Sequence, residues 1–142
     1  MRISIITTLL CLLVVGISAV DNFPGNCLDF DGINDHVLLD PMTIGGAFTI
    51  ESYIFLNAAV NFERIIDFGN GSPGDNIMFG MYHNTGQMYL CVYVGGSYSL
   101  MITDDVLPTN QWVHLAATVT DAGVGKIYWD GVLKATDNAM LV

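Results

Sequence analysis

The chain begins on one hydrophobic pattern and continues on another. From Ile3 to Val15 the run "ISIITTLLCLLVV" is almost uniformly apolar, and beyond Val20 apolar residues alternate with polar ones instead. In "AFTIESYIFL", Phe48, Ile50, Ser52 and Ile54 fall on one side, and Thr49, Glu51, Tyr53 and Phe55 on the other. A period of two is that of a strand with one buried face. Similar runs predict strands in "CLDF" and "HVLL", flanking a loop at Asp31–Asp35, and in "RIIDFG", "NIMFGMYH", "QMYLCVYV" and "SYSLMI". "QWVHLAATVT", "GKIYW" and "VLKA" complete the set. Asn84-Thr85-Gly86 and Asp121-Ala122-Gly123 read as hairpin turns, Asp104-Asp105 as the start of a loop running through Pro108, and Asp130-Gly131 as a tight two-residue turn. No helical periodicity of useful length follows the opening run. Many short strands at this spacing predict an all-β sandwich or barrel. "IMFGMY" and "MYLCVYV" are apolar on both faces, which places them centrally or gives one face to a binding surface.

The opening run has its own logic. Arg2 supplies a minimal positive start, Ile3–Val15 an apolar stretch, and Ala19 a small residue at a cleavage position. Residues 1–19 are therefore expected to be a secretory signal peptide, leaving 20–142 as one domain. An uncleaved anchor is the alternative, since the run approaches the ~18 residues of a membrane span. Removing the leader takes Arg2 and no acid, and leaves three basic against fourteen acidic residues. That balance excludes a nucleic-acid partner, which needs a basic footprint, and a polybasic membrane-surface mode; with the leader cleaved, no membrane insertion is expected. Cys11 would leave with the leader. Cys27 and Cys91 remain, an even pair expected either to bridge in an oxidising compartment or to stay as two free buried thiols.

Chemistry enters at three places. A glycosidase needs two carboxylates about 5–5.5 Å apart for retention. Glu51 and Glu63 stand alone in sequence, and Asp29 and Asp31 sit in an entry strand and its turn, so no catalytic residues are assigned. His36, His83 and His114 lack metal-ligand spacing, and His114 reads as a packed strand residue. Asp31, Asn34 and Asp35 gather hard oxygens in one loop and are the candidate metal ligands for calcium, although calcium takes 6–8 oxygens. The alternative is a turn in which these side chains bond their own backbone. Tyr89 and Tyr93 share one face of their strand, and with Tyr98 they form the candidate ligand-binding set for stacking on sugar rings; core packing is the alternative. Asn70-Gly71-Ser72 is a glycosylation sequon followed by Pro73.

Three stretches together resemble the laminin-G-like branch of the concanavalin A-like lectin/glucanase superfamily. "LDFDGINDHVLL" is similar to that family's opening strand, Phe-Asp-Gly turn and second strand; "FTIESYIFL" resembles its Phe-Thr-Ile-Glu strand; "NQWVHLAATVTDAGVGKIYWDGVLKA" resembles its Trp-x-His strand and Tyr-x-Asp-Gly hairpin. The resemblance covers Cys27 to about Thr136. It implies a jelly-roll sandwich of two curved antiparallel sheets. It also implies a secreted, non-catalytic recognition module for glycans or extracellular protein, with calcium as an associated ion. Members of the family usually continue past this hairpin with further strands, and nothing after Thr136 matches them. The sandwich is therefore expected to lack its closing strands. A glycoside hydrolase-type sandwich and a non-functional fragment of a larger adhesion protein are the other readings.

Overall fold

A computed structural model describes residues 3–6, 27–59, 63–69 and 74–142. Among these the chain forms strands only: β1 (Ile3–Ile6), β2 (Leu28–Phe30), β3 (Phe48–Leu56), β4 (Arg64–Gly69), β5 (Asn76–Met81), β6 (Gln87–Val94), β7 (Ser97–Val106), β8 (Trp112–Val119), β9 (Gly125–Trp129) and β10 (Val132–Asp137). They build two antiparallel sheets, one ordered β10-β9-β8-β3-β1-β2 and the other β4-β5-β6-β7.

Alternation sets which residues meet between the sheets. Across β3, β8 and β9, Ile50 lies opposite Ala117 and Ala117 opposite Ile127; Ser52, Leu115 and Trp129 form the next row. From the other sheet, Phe79, Leu90 and Met101 make a facing row. All of these apolar side chains are buried in one core cluster. Fully burying one such side chain contributes about 1.5–3 kcal/mol, so the interior of the sandwich is its main source of stability. The tail closes part of it: Met140 enters the core, its N–H donating to the Gly123 carbonyl.

The turns read from sequence form. Asp130 and Gly131 both take positive φ, 47° and 77°, the geometry of a type I′ hairpin that matches strand twist. Asp130 is tied further to β8, its carboxylate accepting the His114 N–H at 2.9 Å.

Three expectations need correction or restatement. "HVLL" is not a strand. Residues 36–39 run beside no ladder, with Val37, Leu38 and Leu39 exposed by 56%, 87% and 52%. Side chains suited to a pleated surface do not make a strand unless a partner satisfies the backbone. Asp104 and Asp105 do not open a loop, because β7 continues through both. Polar contacts carry it across a bulge: the Thr103 hydroxyl accepts the Met88 N–H and donates to the Asp105 carbonyl, and the Gln87 amide donates to the Thr103 carbonyl. Finally, residues 3–6 of the expected leader form β1, paired on one side with β3 and on the other with β2. The cleavage position at Ala19 and the sequon at Asn70 lie outside the described residues.

Candidate functional site: the outer face of the four-stranded sheet

Met88, Leu90 and Val92 of β6 point into the core, so Tyr89, Cys91 and Tyr93 occupy the opposite face. Strand register extends that face into rows. The first runs Gly69, Asn76, Tyr93, Tyr98; the second Asp67, Met78, Cys91, Leu100; the third Arg64, Gly80, Tyr89, Ile102. All three residues expected to bind a ligand are therefore brought to one surface, although they do not play one part.

In the first row Tyr93 and Tyr98 lie directly opposite each other, with ring centroids 5.3 Å apart and planes tilted by 32°. Tyr98 is 61% exposed and offers an open ring face. Beside them Asn76 is only 3% exposed, and neither its amide nitrogen nor its amide oxygen has a hydrogen-bond partner. A buried, unsatisfied polar group costs about 1–3 kcal/mol. Asn76 fits because its neighbour in the row is glycine: a Cβ on Gly69 would stand 2.3 Å from the Asn76 oxygen. Asp75 is held in place, its carboxylate accepting the Gly95 N–H at 2.7 Å. Asn76 and Tyr93 also line a cavity of about 400 Å³ at this end of the sandwich, together with Phe48, Phe68, Ile77 and Val92. That volume falls within the range of small-ligand pockets.

The third row is closed by its own contacts. Arg64 pairs with Asp67, and its guanidinium acts on the Tyr89 hydroxyl across Gly80. Burial works against the Arg64 charge, yet Asp67 and then Tyr89 hold its pKa above the ordinary value. Burial raises the Tyr89 hydroxyl pKa, with Arg64 opposing the shift. Tyr89 packs edge-on to Tyr82 at 6.2 Å. It is a buried support for the surface, whereas Tyr98 is its accessible ring.

The remaining candidates lie elsewhere. Asp31 accepts the Ile33 N–H and Asp35 the Asp31 N–H, both at 2.8 Å, so the Asp31–Asp35 loop is satisfied as a turn. With Asn34 it offers fewer oxygens than calcium's usual 6–8, and these side chains alone do not fit the ion. Among the described residues no three His, Cys, Asp or Glu side chains gather to hold a metal. Of the two expected states, bridged or two free buried thiols, neither holds in full: Cys27 and Cys91 are both free, and only Cys91 is buried. The physical reason is placement: Cys27 precedes the edge strand β2 of one sheet, and Cys91 lies in an inner strand of the other. Burial pushes the Cys91 thiol up to about 11. His114 stacks on Tyr53 at 4.7 Å and reaches Glu51 at 3.5 Å, the packed role expected of it.

Sequence reasoning missed Asn76, Arg64, Asp67 and Gly69. Nothing local marks them, because their proximity to the tyrosines is created by cross-strand register. The only available signal was the polar residue Asn76 leading an otherwise apolar strand.

Among the described residues no helix is long and apolar enough to cross a membrane. No curated protein and no solved structure matches the chain. A family model does: Laminin_G_3, described as the concanavalin A-like lectin/glucanases superfamily, over residues 31–141. With two antiparallel sheets packed as a sandwich and that match over most of its length, the chain belongs to the laminin-G-like branch of the concanavalin A-like lectin/glucanase superfamily.

Proposed function

We propose that this protein is a secreted, non-catalytic recognition module that binds glycan on the outer face of the four-stranded sheet. The family supports a carbohydrate- or protein-binding role, and its domains are typically extracellular. One observation favours glycan at this face: an unpartnered donor–acceptor amide, Asn76, lies in the same cross-strand row as a tyrosine pair with one open ring. Sugar rings present an apolar C–H face and a rim of hydroxyls. Tyr98 supplies the stacking surface, and Asn76 can both donate to and accept from hydroxyls once its side chain turns outward. The leader read from residues 1–19 delivers the domain to the compartment where such ligands are displayed.

A glycan array probed with the full chain and with Tyr98→Ala tests this reading. Binding that Tyr98→Ala abolishes, with the melting temperature unchanged, is the expected result. Binding indifferent to both Tyr98→Ala and Asn76→Ala places the ligand elsewhere and overturns it.

A further inference from the structure

The position of β1 raises a question of occupancy. β1 runs antiparallel to β3 and antiparallel to β2, so β2 and β3 run parallel to each other with one strand between them. Ile3 pairs with Leu56 and Ile5 with Ile54, two residues of the buried core. The slot therefore requires apolar residues at alternate positions. β2 cannot simply shift onto β3, because that would make a three-residue parallel pair, and parallel pairing is the weaker kind.

The chain carries another segment that meets these requirements. His36–Leu39 is joined to β2 by the Asp31–Asp35 loop, whose two internal hydrogen bonds form a turn. Five residues is a hairpin-length connection. Leaving that turn antiparallel to β2, residues 36–39 would enter the slot also antiparallel to β3, and residues 40–47 would return the chain to the start of β3. Val37 and Leu39 supply apolar side chains at alternate positions, yet in the presence of β1 they lie exposed and unpaired.

We propose that Ile3–Ile6 and His36–Leu39 compete for the position between β2 and β3. With the leader present, β1 holds it. When the leader leaves, His36–Leu39 moves in, buries its apolar face, restores the ladder on β3 and makes a continuous antiparallel sheet. The leader thus keeps the chain in a form with an exposed apolar segment until it is removed. The proposal depends on leader removal for its biological occasion, but the competition itself does not.

Amide hydrogen exchange on the full-length chain decides the question. In the unaltered chain Val37–Leu39 exchange rapidly. In the full-length variant Ile5→Pro, which removes a ladder donor from β1, the same amides slow by roughly a hundredfold or more. The secreted, processed chain shows the same protection. Protection of the β8–β9 amides reports in each sample that the sandwich is folded. Rapid exchange at Val37–Leu39 in a folded Ile5→Pro chain overturns the proposal. So does protection that appears only with dimer formation, since a second copy would then be filling the slot. In a second variant, Leu38→Pro, the processed chain loses protection at the Tyr53–Leu56 amides facing the slot. Retained protection there also counts against the proposal.

Discussion

Gly80→Ala is a small change at a place where the backbone leaves no room. Gly80 lies in β5 opposite Arg64, at the irregular start of the β4–β5 ladder. A Cβ there would stand 2.2 Å from the Glu63 carbonyl oxygen and 2.9 Å from the Arg64 Cα, where ordinary contact begins at 3.4 Å. Both obstacles are backbone atoms, so no side-chain rotation relieves the clash. The segment carrying Glu63, just ahead of β4, must retreat by about an ångström, and the hydrogen bond from Met81 N–H to the Glu63 carbonyl, 2.7 Å long, stretches or breaks. Overpacking of this kind costs ~1–3 kcal/mol and the hydrogen bond ~1 kcal/mol more, about 3 kcal/mol together. Domain stabilities are only about 5–15 kcal/mol, and the expected drop in melting temperature is on the order of 10 °C. Gly95→Ala is the control. Gly95 has φ +56 and nothing within 4 Å of an added Cβ, so it should lose only the ~1–2 kcal/mol of left-handed backbone. Urea unfolding at unchanged m separates the two effects. A Gly80→Ala loss no larger than that of Gly95→Ala would refute the steric argument.

Ser52→Ala should raise stability by ~1 kcal/mol, because the Ser52 hydroxyl is buried without a partner, whereas Ser99→Ala should lower it by a similar amount because Ser99 accepts the Leu141 N–H. A urea melt of each variant gives the two signs. In a Cys11→Ser chain the two remaining thiols should separate in a thiol-titration time course: exposed Cys27 reacts at once and buried Cys91 only on unfolding, so two fast thiols would contradict the placement. Cys91 also predicts alkaline sensitivity. Its folded-state pKa of about 11 lies above the ordinary thiol value of 9.0, so its contribution is fully present below pH 9 and is lost as pH rises towards 11, by at most ~1.4 kcal/mol per unit. Cys91→Ala should flatten that slope in pH-dependent melts. Calcium and chelator should give equal melting temperatures if the Asp31–Asp35 turn is satisfied by itself; a clear rise with calcium would show that further oxygens complete a site.

Features governed by period and turn chemistry were legible in the sequence. Ile50, Ser52 and Ile54 share the inward face of β3 as the alternation requires, and Asp130-Gly131 turns between β9 and β10 as its residue types require. Those are local constraints, set within a few residues. Which surface a strand's second face joins is not local. Tyr89 and Tyr93 share one face by counting, but their different roles were not legible, because only strand register sets Arg64 in the row of Tyr89, across Gly80. Asn76 is the clearest case: its unsatisfied amide has meaning only once the register sets it beside Tyr93 and Gly69. "HVLL" shows the same principle from the opposite side. Its pattern states that the segment can pair, but pairing is a property of two strands. The slot that would accept it is held by residues whose own pattern had assigned them to a leader. A sequence can thus specify more candidate strands than a sheet has positions. Which of them is exposed then depends on which competitor remains in the chain.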